Sequence, residues 1–343
     1  MKQKSNKCLI DYLRFSIPNT TFFNVANNIL GIDYSKFSSS DLKGSPYPTY
    51  DFSVSFSNIK LHSSKTHDNI LVDISGQACR QYEEYMCRLE GWHWQKFIHS
   101  ILSLNGIITR IDLALDIFDN STPSLKSLEE YISRGQLCTK SYKYMKINSG
   151  RILDGQVTGR SLYIGASPQI LRIYDKKQER KDNADEFLFN IDKWIRWELE
   201  LTHKKAMIVA THISSGKPLN SIIKGILSSH YAFKIRPKNN SDFHNKNRLS
   251  NMRWWDNFIR DIEGIPLNVY REKSTLNKKK KWIEHSASKS IGMIYEVYRE
   301  AYSKDYAKLY ISELIEKGID KITDIDKGLI SQKVLELTSE MEY

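Results

Sequence analysis

The sequence predicts an α+β fold, with a mainly antiparallel sheet core flanked by helices and a basic, mostly helical C-terminal lobe. Several segments alternate apolar and polar residues with a period of two, which is typical of strands that bury one face. They occur in groups separated by single helical stretches, and this order favours antiparallel pairing over a regular strand–helix–strand series. Residues 204–250 contain nine Lys or Arg and one acid, Asp242. We therefore expect a sheet core over 1–202 and a basic helical region with an acidic tail over 203–343.

The composition indicates a folded protein with a polyanionic partner. The chain has 343 residues, of which 40% are apolar and 27% are charged, and this balance suits a globular protein. The formal net charge of +11 favours a partner such as nucleic acid. The four cysteines form no C-x-x-C pair, so the sequence predicts neither a zinc site nor a disulfide framework. We find no signal peptide and no apolar run long enough to cross a membrane, and we expect the protein in a reducing cytoplasm.

The individual elements follow from local periodicity and from turn residues. Asn105-Gly106 ends a stretch whose apolar residues keep helical spacing, and Ser57-Asn58 separates the arms of a hairpin. Thr122 and Pro123 are typical of a helix N-terminus. In chain order, we predict a strand at 9–17, a short helix at 19–28, a hairpin at 52–62, a strand at 70–74, a helix at 92–104, a strand at 110–117, a helix at 123–133, a hairpin at 161–177, a strand at 195–201, helices within 206–233 that are interrupted at 214–218, and a helix that begins at Trp254.

One predicted strand, over 171–177, carries a tyrosine between two cations. Apolar residues at 171 and 173 alternate with Arg172, Tyr174 and Lys176, which therefore share the opposite face. A phenol with a cation on each side suits a site that holds a phosphate beside the phenolic oxygen. The alternative is a tyrosine in a sheet with solvated charges around it.

Two further predicted strands place charged residues at alternate positions, opposite an apolar face. These are Arg110, Asp112 and Asp116 in the first strand, and Arg196, Glu198 and Glu200 in the second. Grouped carboxylate oxygens suit Mg²⁺ or Mn²⁺, which bind through one or two carboxylates together with substrate phosphate. The alternative is a solvated sheet face with cross-strand ion pairs, each of which contributes little to stability.

Six short segments, in this order and spacing, form a pattern that one protein family shares. They are Ile10–Phe15, Ile74–Arg80, Thr109–Asp116, Leu162–Gly165, Arg172–Lys176 and Arg196–Glu200. Trp254-Trp255 and Lys281-Trp282-Ile283 are similar to the C-terminal part of the same family. Over about residues 10–295 the chain thus resembles the Rep_trans family, which includes initiators of rolling-circle plasmids, filamentous-phage replication proteins and nickases of integrative conjugative elements.

The resemblance implies a site-specific DNA nicking and closing enzyme. Members of the family cut one strand at an origin through a tyrosine and need a divalent metal. A 5′-phosphotyrosyl adduct and a free 3′-hydroxyl are then expected, and the retained covalent bond allows the strand to be rejoined. The implied partners are double-stranded origin or transfer-origin DNA, single-stranded DNA at the nick and a host UvrD/PcrA-like helicase, with a homodimer as an open alternative.

The expected site residues combine this pattern with the resemblance. Tyr174 is expected to attack the phosphate, while Arg172 and Lys176 favour its phenolate by opposite charge. The expected ligands of Mg²⁺ or Mn²⁺ are Asp112, Asp116, Glu198 and, as a further candidate, Glu200. The expected DNA contacts are Arg110, Arg196, Lys278, Lys279, Lys280 and Lys281.

Other interpretations stay open on the sequence alone. Tyr163, on the paired arm of the hairpin, and Tyr82 and Tyr85 are further candidate nucleophiles. The nine histidines include no His-hydrophobic-His pair, so the histidine-ligated metal site of other nickases is not indicated. A hydrolytic nuclease would use the same carboxylates with water and leave no adduct. A non-catalytic origin-binding protein would need neither the carboxylates nor the tyrosine.

Overall fold

The structure is a computed structural model, and it describes residues 5–39, 49–87, 91–182, 191–236, 246–260, 263–267, 279–280, 282–323, 326–327, 330 and 334. Its strands are β1 (Lys7–Pro18), β2 (Ser38–Ser39), β3 (Phe52–Phe56), β4 (Ile59–Ser63), β5 (Asn69–Ile74), β6 (Ile107–Ile117), β7 (Leu137–Thr139), β8 (Tyr144–Gly150), β9 (Val157–Ala166), β10 (Gln169–Asp175), β11 (Ile195–Thr202) and β12 (Tyr231–Phe233). Its helices are α1 (Phe22–Asn24), α2 (Gly76–Met86), α3 (Trp94–Ser103), α4 (Leu125–Ser133), α5 (Lys176–Asp182), α6 (His203–Ser214), α7 (Leu219–His230), α8 (Arg253–Phe258), α9 (Ser288–Ala301) and α10 (Lys304–Ile319). Short π-helical turns lie at Val25–Ile29 and Ile283–Ala287, and 3-10 turns at Tyr34–Lys36 and Lys246–Arg248.

Ten of the described strands form one sheet, in the order β2-β3-β4-β5-β1-β6-β11-β10-β9-β8. Neighbouring strands in this sheet pair antiparallel throughout. A second, two-stranded sheet pairs β12 with β7. The predicted α+β class with a mainly antiparallel sheet is therefore confirmed, and β6 and β11 lie at the centre of the large sheet.

Helices cover one face of these central strands. The buried apolar residues of that face include Ile111, Leu113, Leu115, Trp197, Leu199 and Leu201. Helix α6 packs against β6 and β11, α7 packs against β6 and β1, and α3 packs against α6. Because the side chains of a strand alternate between faces, the intervening residues of β6 and β11 point away from these helices.

The basic region that follows β11 begins within the same compact unit as the sheet. The chain forms one unit over Met1–Val269 and another over Tyr270–Tyr343, so the division differs from the predicted boundary at 202/203. The physical reason is an aromatic cluster, in which the Trp197 ring lies 6.2 Å from Trp255 and 5.5 Å from Phe258. Separating α8 from the sheet would expose these rings to water.

Local details also differ from the predicted elements. Strand β10 ends at Asp175, whose carboxylate accepts a hydrogen bond from the backbone N–H of Gln178 at 2.9 Å, and α5 therefore begins at Lys176. Helix α4 begins after Ser124, whose hydroxyl accepts the N–H of Ser127 at 3.2 Å, so Thr122 is not its N-cap. In β1 the register changes between residues 10 and 12, which leaves Asp11 as the extra residue of a bulge.

The second compact unit is helical over its described residues. Helices α9 and α10 pack against each other, and their contact includes a tyrosine cluster in which the Tyr298 and Tyr310 ring centres lie 4.4 Å apart. Among the residues that the structure describes, no helix combines the length and the apolar content needed to cross a membrane.

Candidate active site

The strands β6, β11 and β10 bring the predicted site residues onto one face of the sheet, opposite the helices. In the antiparallel register Glu200 lies across from Asp112, and Tyr174 lies across from Arg196. We call this surface the polar face. Its residues on the three strands are Arg110, Asp112, Asp116, Arg172, Tyr174, Arg196, Glu198 and Glu200.

Tyr174 donates a hydrogen bond from its phenol to Glu198 Oε2 at 2.8 Å. Burial raises the pKa of this phenol well above its ordinary value, and the Glu198 carboxylate raises it further, against the opposing effect of Arg196. The hydroxyl is therefore held in its protonated form. It lies beside a carboxylate that is within reach to accept its proton.

The two cations expected to activate Tyr174 are both engaged with carboxylates. Lys176 Nζ lies 2.5 Å from Glu179 Oε1 and 5.6 Å from the centre of the Tyr174 ring. Because Lys176 belongs to α5, it does not continue the alternation of β10. Arg172 pairs with carboxylates of β11. The cation that lowers the pKa of Tyr174 in this arrangement is instead Arg196, which the sequence pattern did not single out for that role.

Arg172 is the point at which three carboxylates converge. Its Nη1 atom lies 2.6 Å from Glu198 Oε1 and 3.7 Å from Asp112 Oδ2, and its Nη2 atom contacts Glu200. Arg110 donates to both oxygens of Asp112, at 2.9 Å and 2.6 Å, and lies 3.0 Å from Glu200. Three carboxylates thus share two guanidinium groups, which leaves an excess of negative charge when all are ionised.

The donor chemistry of this carboxylate cluster suits a divalent cation. Burial raises the pKa of Asp112 to about 6, and Glu198 and Glu200 raise it as well, while Arg110 opposes the shift. A bound Mg²⁺ or Mn²⁺ would relieve such an excess of negative charge, and three carboxylates are a suitable set of hard oxygen donors. Within the described ranges, no three His, Cys, Asp or Glu side chains are arranged as a ready metal site. The Arg172 guanidinium lies among the three carboxylates.

Asp116 belongs to a separate cluster. Arg196 donates to its two carboxylate oxygens at 2.7 Å and 2.9 Å, and also to Asp11 Oδ2 at 2.9 Å. Asp112 and Asp116 are four residues apart on β6, so their Cα atoms are about 13 Å apart. Two aspartates cannot bind one ion across that span. The predicted set of four carboxylates therefore divides into Asp116 and the three around Arg172.

The two arginines predicted to contact DNA are both held by carboxylates within the polar face. Arg196 is 4% exposed and is enclosed by Asp11 and Asp116. Arg110 is less buried and lies over the Tyr12 ring, at 4.1 Å from its centre. The structure therefore favours Arg196 as a residue that positions the site from within, and this differs from its predicted role as a direct DNA contact.

The predicted lysine cluster belongs to the second compact unit. Lys279 Nζ lies 2.9 Å from Asp326, and Lys280 Nζ lies 3.8 Å from Glu284. Lys278 and Lys281 lie outside the described residues. The described pair is therefore partly neutralised by neighbouring acids, which reduces the charge that it offers to a phosphate.

Tyr174 lies at the junction of two clefts. One cleft has a volume of about 440 Å³ and extends over β9, where Arg160 and Tyr163 border it. The other has a volume of about 700 Å³ and extends toward the first turn of α2, where Arg80 borders it. Tyr174, Glu179 and Glu198 border both clefts. A single strand that passed from one cleft to the other would cross the Tyr174 phenol.

The other candidate tyrosines differ from Tyr174 in position. Tyr82 lies in the core, where its hydroxyl donates to the Leu30 carbonyl at 3.1 Å and burial raises its pKa. Tyr85 accepts a hydrogen bond from Lys36 Nζ at 3.3 Å, away from the polar face. Tyr163 is next to the polar face, with its ring centre 5.8 Å from the Arg172 guanidinium. It borders the smaller cleft with Tyr174.

Several residues of the site were not predicted from the sequence. Asp11 reaches Arg196 because of the bulge in β1, and Tyr12 donates from its hydroxyl to Asp73 Oδ2 at 2.8 Å. Asp11 and Tyr12 lie in the segment Ile10–Phe15, which matches the family pattern. This match was the one indication in the sequence that the two residues belong to the site. The sequence pattern did not single out Glu179, although this residue borders both clefts and pairs with Lys176.

Two family models match the chain. Residues 106–315 match Rep_trans, which is described as a replication initiation factor. Residues 7–100 match the N-terminal domain of rolling circle replication initiation proteins. All eight residues of the polar face lie in the first match, and Asp11 lies in the second.

Known proteins show the same likeness. A Bacillus subtilis (strain 168) protein described as "Putative DNA relaxase NicK" is 26% identical over 294 residues, which covers 84% of this chain and 80% of that protein. A solved structure, the rolling circle replication initiator protein from Geobacillus stearothermophilus, shares the fold with a TM-score of 0.64 at 23% identity. It covers 77% of this chain and 100% of its own. The predicted family is confirmed: the chain belongs to the Rep_trans family of replication initiation factors.

Proposed function

We propose that this protein is a rolling-circle replication initiator with relaxase activity, which nicks one strand at an origin by transesterification to Tyr174. Membership of the Rep_trans family supports the general activity. The descriptions of the two similar proteins, one a relaxase and the other a rolling circle initiator, support the same conclusion. The identity of the nucleophile and of the residues around it comes from the polar face.

The hydrogen bond from Tyr174 to Glu198 is the observation that carries the proposal. A buried phenol with a raised pKa is a poor nucleophile unless a base takes its proton as it attacks. Glu198 Oε2 accepts from that phenol at 2.8 Å, and Arg172 holds the other oxygen, Oε1, at 2.6 Å. The carboxylate is thus oriented with one oxygen toward the nucleophile, as a general base requires.

The proposed step exchanges one phosphate ester for another. A bond forms between Tyr174 Oη and the phosphorus of the scissile phosphate as the phenolic proton passes to Glu198. The bond between phosphorus and the 3′-oxygen breaks, and that oxygen takes a proton from solvent to become the free 3′-hydroxyl. Since the energy of the ester is kept in the phosphotyrosyl bond, attack by a 3′-hydroxyl in the reverse direction rejoins the strand.

Mg²⁺ or Mn²⁺ is the proposed cofactor, with Asp112, Glu198 and Glu200 as its ligands. When bound, such an ion would stabilise the negative charge that develops on the non-bridging phosphate oxygens. Arg172 pairs with the same carboxylates and borders the cleft, where its guanidinium could donate hydrogen bonds to a phosphate. Asp116 is left to hold Arg196.

The proposed substrates are double-stranded origin or transfer-origin DNA and the single strand exposed at the nick. The formal net charge of +11 supports a polyanionic partner, and the clefts on both sides of Tyr174 offer a path for a single strand. A host UvrD/PcrA-like helicase and a homodimer are carried over from the resemblance as predictions, and a cytoplasmic location is carried over as a prediction from the sequence.

The proposal is tested by incubating the protein with supercoiled DNA that carries its origin, in the presence of Mn²⁺. We expect a protein–DNA adduct that survives SDS–PAGE, and mass spectrometry should place the phosphate on the peptide that contains Tyr174. Nicked circles without an adduct would indicate a hydrolytic nuclease, and bound but uncut DNA would indicate a binding protein. Addition of EDTA before the DNA should prevent the adduct, and full activity in EDTA would overturn the metal site alone.

A further inference from the structure

The face that carries Tyr174 continues outward onto the two edge strands, β9 and β8. Arg172 pairs with Tyr163, which pairs with Met145 at the edge of the sheet. One position along, Tyr174 and Ile147 lie on either side of the same β9 residue, Ser161. We call Tyr163, Met145 and Ile147 the outer platform. Its members lie on the same side of the sheet as the polar face.

The outer platform is apolar although water reaches it. Met145 is 53% exposed and Ile147 is 44% exposed. The Tyr163 ring forms the inner end of this strip and lies within 5.8 Å of the Arg172 guanidinium. Flat apolar and aromatic surface with a cation beside it is typical of sites on which the bases of a single strand stack.

The surrounding charge suits the backbone of that strand. Residues 140–166, which contain both edge strands, carry five Lys or Arg and one acid, Asp154. Three of these cations have acidic partners, because Lys146 and Arg160 pair with Glu129 of α4 and Arg151 pairs with Asp154. Lys146 also lies on the side of the sheet opposite the outer platform. The excess of cations over this stretch nevertheless favours a polyanion over an acidic or neutral protein surface.

Small residues line the cleft beside Tyr174 on the side of the outer platform. Its lining on this side includes Ser149, Gly159 and Ser161. The Ser149 hydroxyl lies over Gly159, at the position that a side chain there would occupy. The cleft, of about 440 Å³, extends from Tyr174 to Tyr163, the member of the outer platform that borders it.

We propose that the outer platform stacks unpaired bases of the strand that Tyr174 attacks, on one side of the scissile phosphate. This inference rests on the proposed function and adds to it a subsite for single-stranded DNA. The subsite contacts the flat faces of the bases rather than the backbone. Stacking tolerates any base, because every base has a π-face. The platform thus holds the strand open beside the nucleophile, while the choice of origin is made elsewhere.

Binding is measured in a Tyr174→Phe background, so that cleavage does not disturb the equilibrium. The probe is a fluorescent single strand of about twelve thymidine nucleotides, close to the site sizes of single-strand binding folds. Tyr163→Ala should weaken its binding by about fivefold or more, since loss of one stacking partner costs at least that much. A second probe of the same length, with abasic sites in place of bases, should bind weakly and equally to both proteins.

The matched control is Tyr144→Ala. Tyr144 is 49% exposed on β8, but it pairs with the buried Ile164 and so faces the opposite side of the sheet. It should leave the affinity for both probes unchanged. Tyr163→Phe should retain the affinity of the parent protein, because it keeps the ring. Met145→Ser, at the exposed edge, provides a second test in case Tyr163→Ala unfolds.

The results separate this inference from the proposed function. Equal affinities of the Tyr163→Ala, Met145→Ser and parent proteins for the thymidine strand would overturn the platform, and so would an equal loss on the abasic strand. Neither result depends on whether the protein nicks DNA. Conversely, the parent protein could form no adduct and yet bind the thymidine strand in a way that depends on Tyr163. That result would support the platform and contradict the proposed nicking chemistry.

Discussion

The two faces of β11 are equally buried and chemically opposite. All eight residues from Ile195 to Thr202 are buried. On one face Trp197 packs in the core, with its ring 5.5 Å from Phe258. On the other face Glu198 lies among guanidinium groups and the Tyr174 phenol. Burial by itself therefore does not distinguish the core of this protein from its site.

The difference lies in what each face loses when it leaves water. Burial of apolar surface stabilises the folded state by about 25 cal/mol for each Å² that is removed from water. A buried charge loses its hydration, and an ion pair restores that loss only in part. We infer that the helix-packed face holds the fold together, whereas the polar face contributes its reactivity. Substitutions on the two faces should then separate activity from stability.

The largest effect on the polar face is expected from Tyr174→Phe. Nicking and adduct formation should fall by more than about 10³-fold, because the attacking oxygen is removed. The free energy of unfolding should fall by no more than about 3 kcal/mol, since one hydrogen bond to the Glu198 carboxylate is lost. Gel assays of nicking and urea unfolding measure the two effects. An adduct that persists in this variant would transfer the role of nucleophile to Tyr163.

Glu198→Gln should have the next largest effect. The amide keeps the shape of the carboxylate but cannot accept the Tyr174 proton, so nicking should fall by about 10²- to 10⁴-fold. Glu200→Gln is the control, because Glu200 pairs with Arg172 and Arg110 and belongs only to the proposed metal set. Extra Mn²⁺ should partly restore nicking by Glu200→Gln and leave Glu198→Gln inactive. If extra Mn²⁺ restored nicking equally in both variants, the proposed role of Glu198 as the general base would be wrong.

On the opposite face, Trp255→Ala should affect stability first. Trp255 is fully buried against Trp197, and loss of such a side chain costs about 3–5 kcal/mol of unfolding free energy. Trp282→Ala is the matched control, since that ring is 63% exposed and its loss should leave unfolding nearly unchanged. Molecules of Trp255→Ala that remain folded at low temperature should still nick DNA. A selective loss of nicking with normal stability would contradict the division between the faces.

The pH dependence of stability gives a smaller contrast, centred on Asp112. Burial raises its pKa from 3.8 to about 6 in the folded protein, so the unfolded chain releases this proton first. The contribution of Asp112 to the free energy of unfolding therefore falls as pH rises between these two values. The loss is at most about 3 kcal/mol, from roughly two pKa units. Asp112→Asn should accordingly flatten the stability profile between about pH 4 and pH 7 relative to the parent protein.

Asp119 supplies a control of opposite sign. Burial acts to raise its pKa, but hydrogen bonds from the Ser121 hydroxyl and backbone N–H outweigh burial, and the pKa lies below its ordinary value. Its contribution to stability is present above the ordinary pKa and is lost as pH falls through the folded value. Asp119→Asn should therefore lower stability at neutral pH more than in acid. Profiles of the same sign for both variants would refute the assignment for Asp112.

Much of this fold could be predicted because alternation is a local property. The strand that contains Asp112 and the strand that contains Glu198 each show one apolar and one charged face in sequence, and both lie in the sheet as expected. The bulge at Asp11 and the start of α5 at Lys176 could not be predicted in the same way. A bulge depends on the partner strand, and Asp175 ends β10 through a side-chain hydrogen bond that competes with the ladder.

The chemistry of the site could be predicted only as far as residue types. Alternation of apolar and polar residues placed Arg172 and Tyr174 on one face. It could not predict which charged residue of a neighbouring strand would contact each of them. Glu198 became the partner of the phenol because β11 lies between β6 and β10, and strand order is a property of the whole fold. The predicted boundary after residue 202 has a similar limit, since Trp255 and Phe258, two aromatic partners of Trp197, lie more than fifty residues further along the chain.

The smallest expected effect extends the comparison to the second compact unit, where the two described residues of the 278–281 lysine cluster, Lys279 and Lys280, are exposed rather than buried in a network. Replacement of all four lysines with Ala should weaken binding to every DNA sequence alike, because phosphate contacts carry no base information. Each phosphate contact that is lost should reduce the slope of log affinity against log salt by about 0.9.

The ion pairs of this cluster limit the size of that change. Lys279 and Lys280 already lie near Asp326 and Glu284, so part of their charge is offset before DNA arrives. We therefore expect the slope to fall by about two rather than by the nearly four that four free lysines would give. Cleavage of a short single strand that bears the nick site should change little, since we expect that substrate to contact the polar face and the outer platform rather than the lysine cluster. An unchanged slope would show that the lysines are only solvated, and lost cleavage of the short strand would show that recognition and chemistry are not divided between these regions.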